Sequence, residues 1–237
     1  MALTTSWSSS ASFTTSNEDS ASDRTILIQF GNKISEDIHR DVLHYSQILA
    51  ESFDSLINNI SPGYCSILIR LQGMVSMNQS ISLITKIFNN DTRIDRSSLQ
   101  TVNIPVCYDG EFSPDMKRVM EHTGYSRDEI IDRHVSGSYL VYFIGFTPGF
   151  PYMGGMDTSL ETPRQKTPRT IVPAGSVAIG GKQTGIYPIE SPGGWNIIGK
   201  TYLPLFNWND INSNPIKMGY KIQFHAISKK KFDNMDN

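Results

Sequence analysis

Residues 145–204 constrain the fold of this chain more than any other part of the sequence. This segment holds 11 of the 18 glycines and 8 of the 12 prolines. Proline interrupts the hydrogen-bond ladder of a helix and glycine weakens it, so long helices are excluded here. Aromatic residues are spread through the same segment, which favours packing over disorder. We therefore expect short strands joined by tight turns, as in a compact β-barrel.

Short apolar runs within and around this segment supply the expected barrel strands. They lie at residues 139–144, 171–172, 176–179, 186–187, 195–198 and 221–225. Two helices are expected ahead of them. Ser113 is an N-cap candidate followed by Pro114, with Gly124 as the C-terminal stop. Ser126 and Glu129 form a capping-box pattern that begins the next helix.

The N-terminal third of the chain has the pattern of a small α/β module. Residues 25–30 and 66–71 are β-rich runs, and residues 56–60 are a weaker one. Apolar residues at helical spacing follow Ser35, a plausible N-cap, and recur over residues 77–88. With a last strand over residues 99–108, the order becomes β-α-β-β-α-β. That order is the ferredoxin-like split motif, so the expected fold class is α+β.

The expected organisation has four parts. Residues 1–22 are Ser/Thr-rich and are expected to form a disordered tail. An N-terminal α/β domain covers residues 23–100, a β-barrel domain covers residues 101–230, and residues 231–237 are a polar tail. The formal net charge is −2, which gives no electrostatic reason to expect a nucleic-acid or membrane partner. Cys65 and Cys107 have no metal-ligand or disulfide spacing, so no bound metal or prosthetic group is expected and a cytoplasmic location is predicted.

Residues 194–201, Gly-Trp-Asn-Ile-Ile-Gly-Lys-Thr, match the P-loop pattern G-x-x-x-x-G-K-[ST]. A P-loop needs small, flexible residues between a strand and a helix. Here the interior is strand material, and Pro204 disfavours a following helix. The match is therefore interpreted as a strand and turn, and any nucleotide site must be built differently or lie on a partner.

Several short motifs follow one another in a fixed order. They are GFTPGFPY at 145–152, PR at 163–164 and 168–169, VPAGSVA at 172–178, QTGIYP at 183–188, SPGGW at 191–195 and IGKT at 198–201. This series resembles the family that comprises the B subunits of 5-oxoprolinase and the Kip-type histidine-kinase inhibitors, also called allophanate hydrolase subunit 1; a similar module lies in urea carboxylase. The resemblance runs from about residue 22 to residue 227. Met153 and Lys200 depart mildly from the pattern, where Leu and Arg are expected.

The resemblance implies a cyclophilin-like barrel behind the N-terminal module. It also implies a hetero-oligomer with the C subunit of 5-oxoprolinase and a lactam-hydrolase subunit, which together use ATP, with Mg, to open 5-oxo-L-proline toward L-glutamate. This polypeptide would not be catalytic alone. The alternatives are a Kip-type inhibitor that binds a sensor histidine kinase, or a component of a urea carboxylase or allophanate hydrolase system.

Three residues are candidates for catalytic roles. Arg164 and Arg169 each follow a proline, and a planar five-donor fork on a rigid backbone suits a carboxylate or phosphate. The alternative is that both arginines brace loops. His134 is the histidine that adjoins the motif block, so it is the candidate acid/base, with a structural histidine as the alternative.

The candidate substrate-binding residues combine neutral hydrogen-bonding groups with aromatic walls. Neutral donors and acceptors of this kind can recognise a lactam amide. For the aromatic members, core packing is the competing explanation. The set is Phe146, Phe150, Tyr152, Gln183, Thr184, Tyr187, Ser191 and Trp195.

Overall fold

The computed structural model describes residues 12–15, 24–52, 56–73, 76–90, 99–210 and 213–235. The chain divides into two compact units, Met1–Ser98 and Leu99–Asn237. The boundary between the two units falls between residues 98 and 99. The sequence analysis predicted it between residues 100 and 101. None of the helices in these described ranges is long and apolar enough to cross a membrane.

Unit 1 is a four-stranded antiparallel sheet with two helices. The strand order is β1-β2-β4-β3. Both helices share one apolar core with the sheet, in which Phe30 stacks on Tyr45 and Phe88. The elements are β1 (Ser12–Thr15), β2 (Thr25–Gln29), α1 (Glu36–Ser52), β3 (Ile57–Pro62), β4 (Ser66–Leu71) and α2 (Met77–Asn90).

Local sequence explains most of unit 1. The Ile38 amide donates to the Ser35 hydroxyl at 3.2 Å, which confirms the predicted N-cap of α1. In β4, buried residues alternate with more exposed ones, as expected for a strand covered on one face. Such a strand places every second side chain in the core.

One strand of the expected motif is corrected. Residues 101–107 do form a strand, but it belongs to the barrel of unit 2. The fourth place in the unit 1 sheet is taken by Ser12–Thr15, which pairs antiparallel with β2. These four residues were expected to be part of a disordered tail; the rest of that tail lies outside the described residues. The α+β class itself is confirmed.

Unit 2 is built around a closed seven-stranded barrel, which confirms the predicted architecture. The strands run β10-β7-β6-β13-β5-β12-β9 around the barrel, and β5 pairs parallel with β13. A separate pair, β8 and β11, lies outside it. The elements are β5 (Thr101–Cys107), α3 (Met116–Thr123), α4 (Arg127–Ser136), β6 (Tyr139–Ile144), β7 (Pro151–Gly154), β8 (Arg169–Val172), β9 (Ser176–Gly180), β10 (Gln183–Ile186), β11 (Ser191–Gly193), β12 (Asn196–Lys200), β13 (Lys221–Ile227) and α5 (Lys229–Met235).

The helix starts of unit 2 follow the sequence with one correction. The capping box of α4 is present, with the Ser126 hydroxyl accepting from the Glu129 amide and the Glu129 side chain accepting from the Ser126 amide. For α3 the N-cap position is Asp115 and not Ser113. The Ser113 hydroxyl instead donates to the carbonyl of Tyr108 at 2.7 Å. Gly124 ends α3 in the left-handed region, as predicted.

The structure also tests the interpretations of the P-loop look-alike and of the C-terminal residues. The P-loop look-alike contains the strand β12, so its residues cannot wrap a phosphate as a P-loop does. This outcome confirms the strand interpretation. The expected polar C-terminal tail is corrected, because residues 229–235 form α5 and Phe232 is buried against Phe112.

The barrel wall has two faces, and both are buried. On β9, Val177 and Ile179 face the interior core, whereas Ala178 belongs to a second core on the outer face. On β12 the same alternation separates Ile198 from Ile197. A strand with apolar residues on both faces reads as a continuous apolar run, because each face packs against other residues. The outer core requires a cover, and the glycine- and proline-rich segments provide it.

Candidate functional site

The candidate site is a cavity of about 290 Å³ on the outer face of the barrel wall. Its walls are mainly aromatic, and one cationic side chain and one amide side chain complete them. Concave, mostly apolar sites with a few polar groups are the usual form of small-molecule sites. The lining residues are Phe146, Phe150, Tyr152, Arg164, Gln165, Pro168, Tyr187, Pro192, Gly193, Gly194 and Trp195.

Two glycines in the barrel strands allow Trp195 to lie flat against the wall. A Cβ at Gly180 would stand 2.5 Å from the Trp195 ring, and one at Gly185 would stand 3.0 Å from it. Phe150 meets the Trp195 ring edge-on, with centroids 5.6 Å apart and planes at 90°. Any side chain at these two positions would therefore push Trp195 outward and fill the cavity.

The turn over residues 145–150 forms the rim of the cavity with two tight bends. Phe146 is the centre of a three-residue turn closed by the Thr147 amide on the Gly145 carbonyl at 2.8 Å. Its φ of 65° is in the left-handed region, which is strained for a bulky residue. Pro148 and Gly149, the latter with φ of 82°, then make the turn that returns the chain to Phe150. The Phe146 ring remains 62% exposed at the rim.

Arg164 supplies the positive charge of the cavity. Its guanidinium lies over the Trp195 ring at 5.5 Å from the centroid, a cation–π contact. The side chain is exposed at the mouth. This position lets the guanidinium meet a ligand anion while the aromatic walls contact the rest of the ligand.

Tyr187 places a hydroxyl group at the wall of the same cavity. Burial raises the pKa of Tyr187, and the Trp195 backbone and the positive charges of Arg164 and Arg169 oppose that rise. The phenol stays protonated at neutral pH, so it can donate a hydrogen bond. The Gly193 backbone lies against this hydroxyl so closely that a Cβ there would overlap it.

Six of the candidate residues are brought together by the structure, and five are not. Phe146, Phe150, Tyr152, Arg164, Tyr187 and Trp195 line the cavity. The residues outside its lining are His134, Arg169, Gln183, Thr184 and Ser191.

His134 is corrected from a candidate acid/base to a buried structural residue. It is 0% exposed, and burial lowers its pKa to about 3. The Tyr108 hydroxyl lies 2.7 Å from Nδ1, and the Thr184 hydroxyl lies 2.9 Å from Nε2. Because the Thr184 hydroxyl donates to the Ala178 carbonyl, it accepts from Nε2, and Nδ1 accepts from Tyr108. Every hydrogen-bonding group of this neutral imidazole is satisfied inside the barrel.

Arg169 is corrected from a free cationic anchor to a paired one. Its Nη2 donates to the Asp115 carboxylate at 2.6 Å. The side chain of Asp115 is 8% exposed, so this pair is largely shielded from solvent. Only three acids occur in the 60-residue segment around Arg169, but the partner comes from outside that segment. This ion pair is the kind of contact that the loop-bracing alternative predicts for Arg169.

The remaining candidates fall on strands beside the cavity. Thr184 belongs to the interior of the barrel through His134, and Gln183 begins β10 opposite Gly180. Ser191 is buried on β11 opposite Val172, and its hydroxyl has no hydrogen-bond partner among the described residues. Thr184 faces the barrel interior because side chains alternate along a strand, and neither Gln183 nor Ser191 is among the residues that line the cavity.

Sequence reasoning did not nominate Asp115 or five of the lining residues, which are Gln165, Pro168, Pro192, Gly193 and Gly194. Gln165 and Pro168 lie within residues 163–169, a segment from which only the two arginines were selected as candidates. Asp115 was interpreted only as part of a helix start. The Gln165 amide group donates to the Asp115 carboxylate at 2.8 Å, so these two residues are in direct contact.

No three His, Cys, Asp or Glu side chains of the described ranges are grouped as a metal-binding set. The cavity lining offers an arginine, an amide, a phenol and backbone groups. This set can bind a small ligand with one negative charge and a hydrogen-bond acceptor. Among the described residues, no Ser, Thr, Cys, His, Lys, Asp or Glu side chain lines the cavity, and its side-chain hydroxyl groups belong to Tyr152 and Tyr187.

The chain is an α+β protein with a closed barrel, and the outer wall of that barrel holds an aromatic cavity with Arg164 at its mouth. The family model described as carboxyltransferase domain, subdomain C and D, matches residues 18–216. The chain belongs to this carboxyltransferase family. The chain is also similar to proteins named as the B subunit of 5-oxoprolinase, which confirms the resemblance noted in the motifs.

Two relatives show how far the similarity extends. The 5-oxoprolinase B subunit of Bacillus subtilis is 36% identical over 226 residues, which cover 89% of this chain and 92% of that protein. The 5-oxoprolinase B subunit of Escherichia coli O157:H7 is 51% identical over 106 residues, which cover 45% of this chain and 49% of that protein.

Solved structures share the fold. The crystal structure of TTHA0988 superimposes with a TM-score of 0.75 at 30% identity, covering 86% of this chain and 40% of that one. The Kluyveromyces lactis urea amidolyase gives a TM-score of 0.71 at 17% identity, covering 99% of this chain and 16% of that one. In both cases this chain corresponds to part of a longer chain. The barrel is of the cyclophilin-like type, as the resemblance implied.

Proposed function

We propose that this chain is the B subunit of an ATP-dependent 5-oxoprolinase. It acts with the C subunit of that enzyme and a lactam-hydrolase subunit to open 5-oxo-L-proline toward L-glutamate. The support is similarity to a relative of that name over 92% of the relative's length. A role in a hetero-oligomer follows from the same proposal, because a B subunit works within a complex.

The observation that carries the proposal is the Arg164 guanidinium over Trp195 at the mouth of the cavity. 5-Oxoproline is a small ring with one carboxylate and one lactam carbonyl. Arg164 pairs with the carboxylate, and the Tyr187 hydroxyl donates to the lactam carbonyl. Phe150 and Trp195 contact the apolar edge of the ring. A cavity of about 290 Å³ accommodates such a ligand.

The same residues do not fit a nucleoside triphosphate. Among the described residues, Arg164 is the one basic side chain in the cavity lining, whereas a triphosphate requires several cationic or backbone N–H donors. Lys200, the lysine of the P-loop look-alike, lies on β12 with its ammonium 5.9 Å from the centroids of the Phe112 and Phe232 rings. We propose that the partner binds the nucleotide.

In this proposal the chain binds and orients the lactam, and the partner completes the chemistry. In the described part of the chain, the cavity lining has no Ser, Cys, His, Lys, Asp or Glu side chain, which supports a polypeptide that is inactive alone. Orientation of a bound reactant can contribute several kcal/mol, about 7 or more in favourable cases. The activity of the complex should therefore depend strongly on this chain.

The test measures ATP-dependent glutamate formation from 5-oxoproline by the reconstituted complex, with and without this chain. We expect turnover only when this chain and its partners are all present, and no ATP turnover by this chain alone. Turnover by the partners at the same rate without it would refute the proposed role. Robust turnover by the isolated chain would refute the division of labour.

A further inference from the structure

The Asp115 carboxylate joins two walls of the cavity. It accepts from the Gln165 amide group at 2.8 Å and from Arg169 Nη2 at 2.6 Å. It also accepts from the backbone amide of Ile197 at 2.7 Å. The first two donors belong to the loop 163–169, which carries Arg164. The third belongs to β12, two residues after Trp195.

A second set of bonds holds the other end of the same loop. The Asn196 amide group donates to the Pro163 carbonyl at 3.0 Å and to the Ile179 carbonyl at 3.1 Å. Arg118 Nε donates to Asn196 Oδ1 at 2.9 Å. Asp115 and Arg118 stand at the start of α3, so both ends of the loop 163–169 are tied to one helix terminus and one strand.

From this geometry we infer that Asp115 is a positioning residue: its carboxylate fixes the loop 163–169, and with it Arg164, against the Trp195 wall of the cavity. The inference rests on the proposed function of the cavity as the 5-oxoproline site. Asp115 does not line the cavity, so it acts through Gln165, Arg169 and the Ile197 amide.

Donors from two separate segments of the chain satisfy this one carboxylate. Asp115 is 6% exposed, and a buried carboxylate is retained only where donors satisfy it. Its donors lie 50, 54 and 82 residues away in sequence, so each bond closes a long loop. Without the carboxylate, Gln165 and Arg169 lose their shared acceptor, and the loop is no longer tied to β12 at this end.

The first experiment measures KM and kcat for 5-oxoproline with Asp115→Asn in the reconstituted complex. Displacement of a binding group can lower the reaction rate by up to about 100-fold. We therefore expect kcat/KM to fall about 10- to 100-fold, mainly through a higher KM. The matched control is Asp157→Asn. Asp157 accepts from Arg133 at 2.8 Å and from the Ser159 amide at 2.9 Å, and neither partner lines the cavity. We expect this control to lower stability and leave KM unchanged.

A second experiment does not depend on activity. Replacing Trp7 and Trp208 by Phe leaves Trp195 as the single tryptophan, which is 5% exposed. In this background we measure quenching of Trp195 fluorescence by acrylamide. Asp115→Asn should raise the quenching constant severalfold, whereas Asp157→Asn should not. Arg169→Gln, too short to reach Asp115, gives a second test if Asp115→Asn does not fold.

The outcomes separate the two ideas. If Trp195 remains protected in the folded Asp115→Asn or Arg169→Gln protein and KM is unchanged, Asp115 is only a stability residue and the inference is wrong. If the complex shows no 5-oxoprolinase activity with any variant or with the original chain, the proposed function fails. In that case the quenching data still decide whether Asp115 fixes the loop.

Discussion

The two faces of the barrel wall carry polar groups in opposite ways. Inside, His134 is sealed with Tyr108 and Thr184, and every donor has an acceptor. Outside, Arg164 rests on an aromatic ring and keeps its guanidinium exposed at the cavity mouth. Strand β10 contributes to both, with Thr184 pointing inward and Gly185 lying under Phe150 and Trp195. Satisfied polar groups serve stability, whereas groups left available serve binding.

The largest expected effect is that of Arg164→Ala on the outer face. A charge-assisted contact contributes about 1.5–3 kcal/mol, so kcat/KM for 5-oxoproline should fall roughly 10- to 150-fold in the complex. The thermal midpoint should stay nearly constant, because Arg164 is exposed. Lys166→Ala is the control, since Lys166 is an exposed neighbour outside the cavity lining. Equal losses in both variants would show a general charge effect.

The next effect concerns the inner face and pH. Burial lowers the pKa of His134 to about 3, below its unfolded value of about 6.5. Between these two pKa values the unfolded chain binds a proton at His134 and the folded chain does not. The free energy of unfolding therefore keeps its full value above about pH 6.5 and decreases as the pH falls toward 3. The loss is about 2 kcal/mol at pH 5 relative to pH 8.

Urea unfolding of unit 2 at pH 8 and pH 5 measures this loss. His134→Gln should flatten the dependence, because glutamine does not titrate. The control variant is His122→Gln, at an exposed position of α3. An unaltered pH dependence in His134→Gln would mean that the interior of the barrel does not exclude protonation at this site.

A smaller effect is expected for Arg169→Ala, which tests whether two similar Pro-Arg units differ in role. Asp115 loses one charged donor but keeps the Gln165 and Ile197 bonds, so the free energy of unfolding should fall by about 1–2 kcal/mol. The fall in kcat/KM should be less than that of Arg164→Ala, because Arg169 does not line the cavity.

Arg133→Ala is the control for Arg169→Ala. Its partner Asp157 is about one-third exposed, so a smaller stability loss is expected there. If Arg169→Ala reduced activity more than Arg164→Ala at equal folding, the assignment of the two arginines would have to be reversed.

The smallest effect is expected for Lys200→Arg. Lys200 lies on β12 near Phe112 and Phe232, and another cation can occupy the same place. We expect kcat/KM of the complex to change less than about twofold, whereas the loss of a phosphate-binding lysine would cost roughly 100-fold or more. A large loss with intact folding would contradict the strand interpretation of residues 194–201.

The sequence predicted those features that depend on near neighbours. The capping box of α4 and the strand Ser66–Leu71 were correct because periodicity and capping act over a few residues. The aromatic residues that line the cavity were also predicted, because they lie within the same segment that is rich in proline and glycine. These patterns carry their information locally.

Long-range pairing could not be predicted in the same way. Asp115 and Arg169 are 54 residues apart, and neither sequence neighbourhood indicates the other. The strand over residues 101–107 could close either sheet by its composition, and its place in the barrel depends on pairing with β12 and β13. The burial of His134 likewise depends on Phe224, which lies 90 residues away in the sequence and stacks on the His134 ring.

The parallel pairing of β5 with β13 has a consequence for how the protein is made. In the barrel, β13 lies between β5 and β6, so the first and last strands of unit 2 are neighbours. Until residues 221–227 have been synthesised, β5 and β6 each keep an edge with unpaired backbone groups, and such edges can pair with other chains. Closure of the barrel is therefore a late event in synthesis, and premature termination before Lys221 leaves a chain prone to aggregation.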